Sequence, residues 1–153
     1  FPATSNETMR RDALIDRVGD TLSLRVIELD KEKNRLILSE RAAQVEAGTI
    51  AFFKWVERDK NAFKFLFDSG TRNDEEFTIA IRKVLDRSAE AIAPLIAIDL
   101  DPIHVRTLAH GVAGASEGVA RFLINNNISF NGEQIGKQIA NLLWAGLRGV
   151  DSE

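Results

Sequence analysis

Between residues 21 and 39 apolar side chains recur at every second position; from residue 42 onward they recur at every third or fourth. The first period lays side chains on one face of a strand and the second on one face of a helix. The helical pattern is most regular over residues 102–148. In 102–127, Leu108, Gly111, Val112, Ala115, Val119, Phe122 and Leu123 share a face. Gly111, Gly114, Ala115 and Gly118 add a stripe of small residues along which another helix can approach closely. In 132–148, Ile135, Ile139, Leu142, Leu143 and Leu147 form the stripe, with Trp144 beside it. Two apolar helices joined by a short polar loop predict an antiparallel helix hairpin, and two copies of it would make a four-helix dimer interface.

Upstream, residues 1–7 read as a mobile tail. Residues 8–17 read as a short helix or turn anchored by Leu14 and Ile15, and Val18-Gly19-Asp20 breaks it. Residues 21–29 alternate, with Leu22, Leu24 and Val26 on one face and Thr21, Ser23 and Arg25 on the other. A charged turn at 30–34 leads to a second alternating run at 35–39 that carries Leu36 and Leu38 on one side. Two strands around a polar turn predict a β-hairpin, which needs a partner surface to be stable. A helix is predicted over 43–58 and a short one through Phe63, Phe65, Leu66 and Phe67, capped by Asp59 or Asn61. Ser69-Gly70-Thr71 ends it, and Asn73 or Asp74 caps a further helix that runs to about residue 93. Asp101 is a suitable N-cap for the next, with Pro102 in the first helical position. The fold class expected is mainly α, a helical domain with a helix hairpin for dimerisation, preceded by a short β-hairpin. The expected division is 1–43 for the tail and hairpin and 44–153 for the helical domain.

Composition narrows the function. The 153 residues suit one or two small domains, and 44% hydrophobic content is enough for a core. A net charge of -3 and a pI near 5.5 give no basic footprint for unspecific nucleic-acid binding. The absence of cysteine excludes disulfides and thiolate metal sites and fits a reducing compartment, so a cytoplasmic location is expected. No apolar run reaches the ~18 residues of a membrane span, and no signal-peptide pattern opens the chain. A start at Phe1 reads as a fragment, a trimmed or a processed chain. His104 and His110 stand six apart and do not share a helix face, so no metal site is expected. There is no Gly-rich phosphate loop and no Ser-His-Asp order, and the carboxylates of Asp74, Glu75 and Glu76 read as a helix N-terminus. No catalytic residue, enzyme activity or cofactor is expected.

The run from Val18 to Ser39, with its Val18-Gly19-Asp20, its Asp30-Lys31-Glu32-Lys33 turn and its closing Arg35-Leu36-Ile37-Leu38-Ser39, resembles the end of the ribosomal S-one RNA-binding domain. That family folds as a five-stranded oligonucleotide-binding barrel. Only its last two strands have counterparts, and its aromatic RNA platform has none. The resemblance implies phosphate contacts from Arg25, Lys31, Lys33 and Arg35. The same residues read more readily as a solvated strand edge and turn. RNA binding is therefore expected to be weak at most.

The helical part resembles the regulatory domain of TetR-type repressors. The residues that carry this are Phe53-Lys54-Trp55-Val56-Glu57-Arg58, Phe63-Lys64-Phe65-Leu66-Phe67, the stretch from Leu108 to Gly118, and Leu142-Leu143-Trp144-Ala145-Gly146-Leu147-Arg148-Gly149. In that family the last two helices build the dimer and the preceding helices enclose an apolar effector pocket. The family's helix-turn-helix has no counterpart here, so DNA would be reached only through a missing domain. A join between the two resemblances near residues 42–46 suggests an engineered or shuffled chimera, a natural fusion, or a mis-assigned sequence.

The candidate ligand-binding residues are Trp55, Phe63, Phe67, Phe77, Ile81, Leu85, Leu108, His110 and Val112, which helical spacing alone also reads as core. The candidate dimer interface is Gly111, Gly114, Ala115, Gly118, Phe122, Ile135, Ile139, Leu142 and Leu143. The expected function is the dimerising, effector-binding domain of a transcriptional regulator, with an apolar small molecule and a second copy as partners. The alternatives are an RNA-binding module and an inert chimera.

Overall fold

A computed structural model describes residues 15–67, 75–96 and 100–150. The elements in order are β1 (Arg25–Asp30), β2 (Arg35–Ser39), α1 (Glu40–Arg58), α2 (Lys60–Phe67), α3 (Glu75–Ile92) with a 3-10 turn at Ala93–Leu95, α4 (Pro102–Asn125) and α5 (Gly132–Leu147). Five helices thus follow a short antiparallel β-hairpin, as the periodicity predicts. The expected tail, the anchor Leu14, the break at Ser69–Thr71 and the caps Asn73 and Asp74 lie outside the described residues.

The hairpin departs from the simple alternation. β1 begins at Arg25 rather than at residue 21, and a bulge at Ile27 shifts the register between Val26↔Leu38 and Glu28↔Ile37. An extra residue in one strand reverses the side-chain alternation beyond it. Leu22, Leu24 and Val26, which precede the bulge, do not form a buried face: all three are exposed, and it is the opposite face that is turned inward, with Ile27 packed against Ala42, Val45, Ala140 and Trp144. Ile15, expected as an anchor, is also exposed. The turn is set by Asp30, whose Oδ1 accepts from the N–H groups of Glu32 and Lys33 at 3.1 Å each. Asn34 closes it with φ of 49°, a left-handed conformation that Asn tolerates.

No linker separates the hairpin from the helices. Ser39 ends β2 and caps α1, its Oγ accepting from Ala42 N–H at 3.1 Å, so the helix starts at Glu40, ahead of the expected residue 43. Asp59 closes α1 by donating its N–H to Trp55 O at 2.9 Å and opens α2 by accepting from Ala62 N–H at 2.9 Å. Asp101 caps α4 as expected, accepting from Ile103 and His104 N–H at 2.9 and 3.0 Å.

The helices associate mainly as two pairs, α1 with α5 and α3 with α4. The buried face of α5 is Gly132, Gly136, Ala140 and Trp144, a ridge of i, i+4 spacing with three small residues. A Cβ at Gly136 would stand 2.5 Å from Ile50 Cα, and one at Gly132 would stand 2.6 Å from Phe53 O. Only glycine permits that approach. Glu57 reinforces it, its Oε2 accepting from Gly132 N–H at 2.8 Å beside the Asn131 cap on Gln134 N–H. The close helix contact in this fold is thus made by α5 on α1. The glycines of α4 make none: a Cβ at Gly111, Gly114 or Gly118 meets nothing within 4 Å.

The main core is aromatic. Phe53, Val56, Phe63 and Phe67 from α1 and α2 pack against Ala120, Leu123 and Ile124 of α4. Phe63 stacks on Phe67 at 4.8 Å between ring centroids and meets Trp55 edge-on at 6.3 Å. A smaller cluster, Ala89, Ile96 and Ala109, joins α3 to α4. Full burial of a side chain such as Phe53 contributes about 1.5–3 kcal/mol.

Candidate effector cavity

The two helix pairs do not close on each other. Between them lies a cavity of about 410 Å³. Small-molecule sites occupy about 300–1,000 Å³, so this space suits such a ligand. α1 supplies one wall through Gln44, Val45, Gly48, Thr49, Phe52 and Trp55. This wall follows from helix geometry: α1 turns Ile50 and Phe53 towards α5 and leaves the adjacent stripe facing the gap. Val84, Leu85, Ser88, Ala91 and Ile92 of α3 form the second wall, and Val112, Ala113, Ser116 and Glu117 of α4 the third. Leu66 and Phe67 at the end of α2, Leu95 of the 3-10 turn and Leu147 at the end of α5 complete it.

Polar groups are few, and most of their donors are already used. Thr49 Oγ1 donates to Val45 O at 2.7 Å, Ser88 Oγ to Val84 O at 2.9 Å, and Ser116 Oγ to Val112 O at 3.2 Å. Glu117 is bridged by Arg121, one turn on, and the other arm of that guanidinium donates to Phe67 O at 2.7 Å. Arg121 itself lines a separate space of about 240 Å³ with Phe63, Lys64 and Phe67. The Glu117–Arg121–Phe67 chain ties α4 to the end of α2 at one edge of the main cavity.

The structure gathers Trp55, Phe67, Leu85 and Val112 of the candidate ligand residues into this cavity. Phe63 belongs to the aromatic core behind it. Leu108 packs instead with the Ala89, Ile96 and Ala109 cluster, and Ile81 is half-buried away from the lining. His110 is exposed on the outer side of α4, with Nε2 at 3.7 Å from Asp86 Oδ1, and takes no part in the cavity. The side chain of Phe77 lies outside the described residues. The α1 wall from Gln44 to Phe52 was not anticipated. Its signal is Gly48, a glycine in mid-helix with nothing within 4 Å of a Cβ position.

The candidate dimer residues divide between inside and outside. Gly111, Gly114, Ala115, Gly118, Phe122 and Leu142 are exposed, Phe122 by 58% and Leu142 by 66%. Ile135 and Ile139 pack against the aromatic core and Leu143 against the α1–α5 cluster. On the hairpin, Arg25 is held by Glu46 of α1, with Nε–Oε2 at 3.2 Å, and by Asn141 of α5. Lys33 pairs with Asp30 at 3.7 Å and Arg35 with Glu28 at 3.6 Å, which leaves Lys31 as the one of the four basic residues without an ion pair among the described residues.

Among the described residues no helix is long and apolar enough to cross a membrane. No protein-family model matches the chain. The chain is 20% identical over 151 residues to the HTH-type transcriptional activator FasR of Mycolicibacterium smegmatis, a match that covers 92% of this chain and 69% of the relative. Coverage of that extent runs through the hairpin as well as the helices. The likeness is to a regulator of transcription rather than to an enzyme, and it relates this helical fold to a regulatory protein.

Proposed function

We propose that this chain is the effector-binding and dimerising part of a transcriptional regulator. The observation that carries the reading is the apolar cavity between the α1–α5 and α3–α4 pairs, sized for a small molecule and walled by all five helices. The distant likeness to a transcriptional activator supports it, as does the TetR-type pattern of the sequence. That likeness passes through both hairpin and helices, which supports treating them as one protein rather than as a join. The exposed stripe Gly111, Gly114, Ala115 and Gly118, continued by Phe122, is the surface assigned to a second copy.

The mechanism is a shift between two arrangements. The glycine contact welds α1 to α5, so a ligand entering the cavity moves α3 and α4 against that unit rather than parting it. A ligand shifts such an equilibrium only by its difference in affinity for the two states. Contact with DNA is assigned to sequence outside this chain. Equilibrium sedimentation, and thermal unfolding with and without an apolar ligand, test the proposal. It predicts twice the chain mass and a melting temperature raised by the ligand; a monomer indifferent to apolar molecules would refute it.

A further inference from the structure

Among the described residues, the α-helix ends that reach the cavity are C-termini. α2 ends there at Phe67, α3 at Ile92 and α5 at Leu147. Helix C-termini carry the negative end of the helix dipole, although Phe67 O already accepts from Arg121 and the last carbonyls of α5 accept from the N–H groups of Arg148, Gly149 and Val150. The three lining hydroxyls spend their hydrogens on their own helices and offer only lone pairs to a ligand. Glu117 is the one charged residue of the lining among the described residues; Arg121 bridges its Oε1 from the separate space behind Phe67. The N–H groups of Trp55 and Gln44 are neutral, and Gln44 sits on the exposed rim. An anion inside would therefore meet hydroxyl lone pairs and a carboxylate, while the cation at the edge, Arg121, is already shared by Glu117 and Phe67 O, so the anion bears much of the cost of burying an unpaired charge. A donor would meet partners on several sides, and a protonated amine would also meet the faces of Phe52 and Trp55.

We propose that the cavity takes an apolar molecule headed by a hydrogen-bond donor, an amine or an alcohol, in preference to a carboxylate of the same chain length. This rests on the cavity being the effector site. Calorimetry of the whole chain with octylamine, octanol and octanoate tests it. The amine and the alcohol should bind at least about tenfold more tightly than octanoate, the worth of one hydrogen bond to a charged group. The two arms separate the sources of the preference: Glu117→Gln should weaken octylamine more than octanol. Gly48→Leu, which fills open space without a clash, should abolish all binding; Ala113→Leu repeats the block from α4, and circular dichroism checks that each variant is folded. Octanoate binding as tightly as the other two would overturn this proposal and leave the cavity reading standing. Binding of none of the three would sink both. Binding that survives both blocking variants would place the ligand elsewhere and overturn it as well.

Discussion

Alanine at Gly136 and alanine at Gly114 should change stability in opposite directions. Both glycines lie inside helices, where replacing glycine by alanine is worth about 0.8–1 kcal/mol through backbone entropy and exposure. At Gly114 nothing stands within 4 Å of the new methyl group, so that gain is realised. At Gly136 the methyl would lie 2.5 Å from Ile50 Cα and 2.9 Å from Ile50 N. These are backbone atoms and have no rotamer by which to yield. α5 must move away from α1 by about 1 Å to restore ordinary contact distances of ~3.5 Å, which loosens Ala140, Trp144 and Val45 in the same interface. Overpacking of this kind costs typically 1–3 kcal/mol and occasionally more. A contact this short against backbone belongs at the upper end of that range, so the propensity gain is outweighed and a net loss of about 2 kcal/mol follows. Urea unfolding followed by circular dichroism reads both variants against the parent. A Gly136→Ala variant as stable as the parent would refute the close contact of α1 and α5. The Gly114 result carries a second lesson. If α4 is the dimer seam, Gly114→Ala loses its gain at high protein concentration, where the methyl meets the second copy.

Four further outcomes follow from the geometry. Glu57→Ala should cost about 0.5–2 kcal/mol through loss of the bond to Gly132 N–H, read by thermal unfolding; an unchanged melt would remove Glu57 from the α5 cap. Phe53→Ala, at a fully buried ring, should cost about 3–5 kcal/mol, and a loss below 1 kcal/mol in urea would deny the aromatic core its place. Gly118→Arg should convert a dimer to a monomer in sedimentation, and a variant dimer would exclude the α4 face as the seam. The Arg17 guanidinium, first through its hydrogen bonds and then through its charge, holds the Glu40 carboxyl below the usual range. A lowered folded value stabilises above the ordinary carboxylate pKa of about 4.3 and is lost as pH falls through the folded value. Glu40→Gln should therefore flatten the acid limb of the stability curve slightly, since the pair is exposed; identical limbs would show the bridge to be inert.

Much of the fold is legible in the residues because helix ends and faces are written locally. Asp59, Asp101 and the apolar stripes of α4 and α5 set their elements where the sequence places them. What escapes is which face meets which. The glycines of α4 and of α5 look alike in sequence, yet among them only Gly132 and Gly136 come up against another helix's backbone. That choice depends on Ile50 and Phe53, some 80 positions away. Which face of the hairpin turns inward escapes for a similar reason: Ile27 rather than Leu24 or Val26 is covered because it meets Ala42, Val45 and Trp144 on the helices. In the cavity lining stand Trp55, Phe67, Leu85 and Val112, which the helix faces together with the TetR-type resemblance single out, whereas His110 lies outside it. A polar residue amid an apolar stripe suggests a ligand contact, but the rotation of α4 turns it outward to Asp86.

The central claim is that the space between the helix pairs holds an apolar small molecule. Carbon-13 methyl spectra of the chain, recorded during titration with octanol, address it most directly. The account predicts shifts confined to the methyl groups that line the cavity, those of Val45, Leu66, Val84, Leu85, Ile92, Leu95, Val112 and Leu147 among them, while Val26 and Leu36 of the hairpin and Ile103 at the start of α4 stay still. Shifts at the exposed hairpin or α4 methyl groups instead, or none at all up to the solubility of the alcohol, would contradict it.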